Sequence, residues 1–385
     1  MTKALFFSNT DLNSLISSTK FTGNDLTVST NDTVINSYSY ITDSTINAGT
    51  TTVNVETTSG FSLGDDILIY QTQNISSDPV GHFEYRTIES IGTNQITFTS
   101  GLSNDYVSNQ PDVYPAKTTQ LIKVAVHSTL TINGSVTCTA WDGKKGGVVA
   151  IKCNTLQGSG IIHANNRGFR GGHYGTGNES PGFAGEGLYG GGGIMVNGRI
   201  SATANILRYP HGRINTGGGG GEGASHAGSG GGGGGHIEKG GYGRCYYGGH
   251  ENVGGSKAPL AKGRMFFGGG GGGGGDDDDS ASNSWGGHGG GIVSIMCDNI
   301  SETLDIQSKG ENNSSSPPIV DGLPSQGAAK GSGGAGGTII ISKKCSATLD
   351  VSGGLGYINT ATGNIAFGGS GSIGRIMLFN YQTLA

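Results

Sequence analysis

Apolar residues in this chain fall in short alternating or β-branched runs bounded by glycine, asparagine and polar turns, the pattern of strands about four to six residues long. Residues 1–50 are rich in Thr, Ser, Asn and Asp with thin alternations such as Leu26-Thr-Val28, and read as a terminal arm or attachment segment. Over residues 51–124 the runs sharpen. Asp66-Ile-Leu-Ile-Tyr70, Glu84-Tyr-Arg-Thr-Ile-Glu-Ser-Ile91 and Ile96-Thr-Phe-Thr99, the last two separated by the turn Gly92-Thr-Asn-Gln95, predict a small β-barrel or β-roll.

An internal repeat follows. A glycine pair precedes a β-branched strand, a polar turn and a second short strand. The copies begin Gly146-Gly-Val-Val-Ala-Ile-Lys-Cys153, Gly290-Gly-Ile-Val-Ser-Ile-Met-Cys297 and Gly336-Gly-Thr-Ile-Ile-Ile-Ser342, with Gly374-Arg-Ile-Met-Leu-Phe379 as a half-copy. Each unit is too small to bury a face alone, so the repeats must stack as a β-solenoid or β-prism, with 125–167 as the first repeat and 292–385 as the C-terminal repeats. Cys153 and Cys297 share an offset from their glycine pairs and are expected to be ladder neighbours. Asp305 and Asp350 also recur at like positions, which suits a turn or ladder residue better than a pair of catalytic carboxylates.

Residues 168–291 hold well over half of the 77 glycines, in runs at 217–221, 230–235 and 268–275. Such runs either behave as flexible linkers or order as a bundle of polyglycine II helices, the threefold extended helix that polyproline also adopts. Aromatic residues between the runs favour the bundle, because a linker has no use for them. Mostly β, with a small β-barrel or β-roll module, a β-solenoid-like repeat region and an inserted polyglycine II bundle, is the expected fold class.

Composition narrows the function. Glycine makes up 77 of 385 residues without the strict period and proline content of collagen. A net charge of −5 with no basic run removes nucleic acid as a partner. No apolar stretch is long enough for a membrane-spanning helix, and the N-terminal apolar run is too short for a recognisable signal peptide. Five scattered cysteines make neither a disulfide framework nor a zinc site and read as buried small apolar residues. The N-x-Ser/Thr matches are those expected of so Asn-, Ser- and Thr-rich a chain.

Candidate chemistry is sparse. His163, His173, His211, His226, His236, His250 and His288 gather in or beside the glycine region at spacings that match no metal signature, so they read as polar loop residues. Four adjacent carboxylates, Asp276, Asp277, Asp278 and Asp279, follow the longest glycine run. They are either a solvated acidic loop or a calcium site, although the alternating spacing of a calcium loop is missing. No cofactor other than calcium is indicated. No catalytic motif stands out, since runs of glycine satisfy Gly-x-Gly-x-x-Gly trivially. The chain reads as non-enzymatic.

Two resemblances add to this reading. The segment Val53–Leu102 resembles small β-modules of bacteriophage tail and fibre proteins and of secreted bacterial surface proteins. The stretch Ala140-Trp-Asp-Gly-Lys-Lys-Gly-Gly through Gly168-Phe-Arg-Gly-Gly172 into Gly190-Gly-Gly-Gly193 looks like glycine-rich bacterial and phage surface proteins. Its layout of glycine runs and aromatic loops is similar to the tail-fibre tip adhesins of tailed bacteriophages. Those adhesins lack a long preceding β-module and following β-repeats.

The resemblance implies a framework role for Trp141, Phe169 and Arg170, with the Phe as a plug and the Arg donating to carbonyl ends. The alternative is a sugar-stacking role for Phe169 between Arg167 and Arg170. The more individual loop aromatics Tyr189, Tyr246, Tyr247, Phe266, Phe267 and Trp285 are the expected receptor-binding residues. The expected function is a receptor-binding fibre-tip adhesin, extracellular or on a virion surface, contacting a cell-surface glycan or outer surface protein and a fibre or appendage partner. The alternatives are a self-assembling subunit of an extracellular or spore-surface filament, whose partners are identical copies, and a polysaccharide-degrading β-solenoid.

Overall fold

A computed structural model describes residues 5–6, 21–74, 79–108, 117–175, 181–188, 194–196, 199–201, 216–221, 230–244, 251–252, 254–259, 263–275, 285–313, 331–341, 347–356 and 368–378. Among these the regular structure is all strand. Two parallel sheets form the spine. The first, of seven strands, runs Leu5–Phe6, Arg375–Leu378, Thr338–Ile341, Ile292–Ile300, Val148–Gly158, Ala125–Ile132 and Leu26–Val28 in spatial order. The second, of five strands, runs Thr348–Asp350, Asp305–Gln307, Ile161–His163, Ser135–Thr137 and Thr33–Val34. A strand of the first sheet is followed by one of the second in every complete coil, which makes the stack solenoid-like.

Repeat copies stack in register, with Val148 beside Ile292, Ile292 beside Thr338 and Thr338 beside Arg375. Near-continuous β-branched residues suit strands buried on both faces. Val149, Ile151, Val293, Ile295, Ile339 and Ile341 point between the two parallel sheets, while Val148, Ala150, Ile292 and Ile340 enter a second core on the outer face. Cys153 pairs with Cys297, their sulfurs 3.2 Å apart, and both are free thiols. Gly158 closes a coil corner at φ +112, where an added Cβ would run into the Ile132 carbonyl.

Three sequence expectations need correction here. The stretch read as an arm supplies the first coil, because Leu26–Val28 and Thr33–Val34 pair with Ala125–Ile132 and Ser135–Thr137. The region 125–167 holds two coils rather than one. Asp305 and Asp350 are not equivalent, since Asp305 lies beside Thr348 and Asp350 beside Gln307. Pairing Ile306 with Leu349 sets this register, the choice that keeps apolar side chains against the core between the sheets.

The β-module is an antiparallel six-stranded sheet in the order Tyr38–Tyr40, Thr118–Lys123, Asp66–Gln73, Phe83–Gly92, Gln95–Phe98 and Thr52–Asn54. It is inserted between the first and second coils and has its own core around Ile67, Ile69, Phe98 and Leu121. Its other face packs on the parallel sheet, where the Tyr85 hydroxyl meets the Ser294 hydroxyl at 2.8 Å.

The glycine segments grow out of the remaining coil connections, and their hydrogen bonding repeats every three residues. In the run 268–275, Gly268 and Gly271 donate to Gly290 and Gly287, Gly269 and Gly272 to Gly235 and Gly232, and Gly270 and Gly273 to Glu186 and Phe183. The same run accepts from Gly172 and Gly175, from Ala335 and Ser332, and from Gly218 and Gly221. Six neighbouring segments therefore surround it, three accepting and three donating. No side chain fits at these positions: a Cβ on Gly270, Gly272 or Gly273 would collide with the carbonyl of Arg170, Gly219 or His173.

Candidate functional site

The run 268–275 leads from a base on the β-spine, where Gly268 donates to Gly290 just before the strand Ile292–Ile300, to a far end where Gly274 accepts from Gly175. At the base, Glu186 is buried and joins three parts of the molecule. Its carboxylate accepts from Gln73 of the module at 2.9 Å, from the Trp141 indole at 3.1 Å and from the Arg170 side chain at 2.9 and 3.2 Å. Arg170 spends its remaining reach on the Asp142 carbonyl at 2.9 Å. Gln120 adds a second clasp, donating to the Gly146 carbonyl and accepting from its N–H. Every buried charge in this hub has a partner, which burial demands.

Phe169, Trp141, Phe267 and Tyr70 fill the space around the hub. Phe267 meets the other three edge-on, at centroid distances of 5.3 Å to Phe169, 5.6 Å to Trp141 and 5.6 Å to Tyr70. Burial holds the Tyr70 phenol well above its ordinary range. Trp141, Phe169 and Arg170 are thus interior residues, and none offers a surface to a sugar.

Phe266 and Phe267 are not loop residues on a surface, as the sequence suggested; both are fully buried. They enter the core that the module, the parallel sheet and the lattice share. The Arg375 guanidinium stands 5.3 Å over the Phe266 ring. Position beside a glycine run implied exposure, but the runs are themselves interior, so residues at their base are interior too.

At the far end, Trp285 and Tyr174 stack with rings 6.2 Å apart and 6° from parallel, and both are partly exposed. His173 lies beneath them, 5.8 Å from the indole, with its Nδ1 donating to the Tyr174 carbonyl at 2.8 Å. Asn313 donates to the Trp285 carbonyl at 2.9 Å and ties in a third segment. Here the lattice brings together Trp285, a residue the sequence singled out, and Tyr174, which it did not. The signal available for Tyr174 was its place among the aromatics between the glycine runs. Tyr242 is a further exposed aromatic of the glycine region, at 49%.

Tyr189, Tyr246, Tyr247 and the carboxylates Asp276, Asp277, Asp278 and Asp279 lie outside the described residues. Among the described residues no three His, Cys, Asp or Glu side chains converge on a point that could hold a metal ion. No helix among them is long and apolar enough to cross a membrane.

No family model and no curated protein matches the chain. Two solved structures align with it in part. One is a tailspike protein from Pseudomonas phage LKA1, at 15% identity and a TM-score of 0.19, covering 37% of this chain and 29% of the other. The second is a tailspike of Acinetobacter baumannii bacteriophage AP22 in complex with A. baumannii capsular saccharide, at 11% identity and a TM-score of 0.20, covering 83% and 51%. This chain thus spans about half or less of either tailspike.

Proposed function

We propose that the chain is a non-enzymatic adhesion component of a virion-surface fibre that presents the far end of a polyglycine II bundle to a cell-surface glycan. The observation that carries this reading is the Tyr174–Trp285 stack at the end of a lattice in which the central run bonds to six neighbours. An aromatic pair on a rigid support loses little entropy on meeting the apolar face of a sugar ring. The hydrogen-bond repeat of three and the exclusion of side chains support the polyglycine II assignment. Glycine loses more freedom on ordering than other residues, so a scaffold this rich in it must recover that cost through many interchain bonds.

The test is binding of purified protein to susceptible cells, or to polysaccharide extracted from them. Replacing Tyr174 and Trp285 together by Ala is expected to abolish binding while the thermal midpoint falls by only a few degrees. Retained binding in a folded double variant would remove the stack from the recognition surface. Release of new reducing ends from the same polysaccharide would overturn the non-enzymatic part.

A further inference from the structure

A second feature of the molecule lies away from the lattice. Where the β-module meets the parallel sheet, an open cleft of about 850 Å³ runs between the two, inside the ~300–1,000 Å³ range of small-ligand sites. One wall is apolar, formed by Phe21, Ile35 and Val126. The Phe21 backbone is held at both its N–H and its carbonyl by the Asn154 side chain, at 2.8 Å each, so this wall is fixed.

Ion pairs make up the rest of the lining, beginning directly beside the apolar patch, where Lys152 is the cross-strand neighbour of Val126. Lys152 lies 2.8 Å from Asp66 and 4.7 Å above the centre of the Tyr85 ring, while the other Asp66 oxygen accepts from Thr87 at 2.9 Å. Lys123 pairs with Asp65 at 2.8 Å, and Arg86 pairs with Glu84. His127 also lines the cleft, its Nδ1 donating to the Asn24 carbonyl at 2.9 Å.

Each lysine and arginine of the lining has its own carboxylate, Lys152 with Asp66, Lys123 with Asp65 and Arg86 with Glu84. A charged ligand entering the cleft would lose hydration without finding an unpaired counter-charge. Hydroxyl groups face no such penalty. Each lysine ammonium keeps donors beyond the one its carboxylate uses, and each carboxylate keeps acceptor sites. A hydroxyl both donates and accepts, so vicinal hydroxyls can bridge a Lys–Asp pair without breaking it, while the C–H face of the ring lies on Phe21 and Val126. We propose that this cleft binds a neutral oligosaccharide. The proposal stands on the cleft alone and does not rest on the adhesin reading.

The test uses the full chain on an array carrying neutral oligosaccharides and uronic- or sialic-acid-containing ones, followed by calorimetric titration with any neutral glycan retained. Two cleft variants, Lys123→Ala and His127→Ala, are compared with the Tyr174→Ala/Trp285→Ala double variant, the cleft variants checked for an unchanged thermal midpoint and the double variant for a fall of no more than a few degrees. Neutral-glycan binding is expected to weaken about tenfold or more in either cleft variant and to persist in the double variant. If a cleft variant unfolds, protection of the Lys123 and Lys152 amines from acetylation by the bound glycan in the native protein replaces it. Binding indifferent to the cleft variants, binding confined to acidic glycans, or no retention of any neutral glycan would each overturn the proposal. None of these outcomes touches the role of the stack at the lattice end, which is tested separately by the binding of the double variant to cells.

Discussion

The guanidinium of Arg170 and the carboxylate of Glu186 stand 2.9 Å apart with side chains 3% and 1% exposed, at the point where module, coil and glycine lattice meet. Glu186 also receives the Trp141 indole and the Gln73 amide. Removing Glu186 therefore leaves a buried cation and takes the acceptor from the Trp141 indole, while removing Arg170 leaves a buried anion and takes the donor from the Asp142 carbonyl.

Glu186→Ala is expected to cost about 3–5 kcal/mol, the range for breaking one side of a buried ion pair. Arg170→Ala should fall in the same range. Urea unfolding at neutral pH followed by Trp fluorescence is the check, since Trp141 reports on the hub directly. A loss below about 1 kcal/mol for both variants would mean that water replaces the missing partner and that the hub does not hold the lattice.

Glycine substitutions should divide sharply by position. Gly272→Ala places a methyl group against the Gly219 carbonyl inside the lattice, so the segments must separate; a loss of about 3 kcal/mol or more is expected, at the upper end for overpacking. Gly92→Ala meets only the Gln95 side chain, at 3.6 Å, and should shift stability by less than about 0.5 kcal/mol. Thermal midpoints of the two variants side by side decide the matter: equal midpoints would contradict a close-packed lattice.

His236 sets an acid limit. Burial, with Arg375 nearby, pushes its pKa down to about 3 from the usual 6.5. Burial and Arg375 keep the ring neutral in the native state, outweighing the Phe266 carbonyl, which with the Thr338 hydroxyl lies 3.2 Å from its Nε2. Between about pH 6.5 and 3 the unfolded chain binds a proton that the folded chain does not. Stability therefore falls as pH falls through that window, by up to about 1.4 kcal/mol per unit, and this group contributes no slope above it. From pH 7 to pH 5 the loss is about 2 kcal/mol, and His236→Gln should remove that part of the slope. Denaturation curves at the two pH values, on both proteins, measure it; an unchanged slope in the variant would assign the acid sensitivity elsewhere.

The extent to which fold and site could be read from the sequence follows from how local each signal is. A glycine pair followed by a β-branched run is a local pattern, and it marked the strands beginning at Val148, Ile292 and Thr338, with the single Gly374 marking the half-copy at Arg375; the structure stacks all four in one register. Leu26–Val28 and Ala125–Ile132 belong to the same sheet, yet they lack the glycine pair, and the residues they pair with are about a hundred positions apart in the chain. Pairing at that separation leaves no mark on either segment alone. Phe266 and Phe267 show the same limit from the side-chain end. Their type and their place beside a glycine run suit exposure and burial equally well. The tertiary structure put them inside, because the run they precede is hydrogen-bonded on all sides and its base faces a core shared with the module. By itself the sequence determined that the chain is built of short strands and of glycine runs that exclude side chains, since residue type and spacing govern both. Only the tertiary structure decided which segments became neighbours, and with that which aromatics anchor the lattice and which stand at its end, because those assignments depend on contacts between distant parts of the chain.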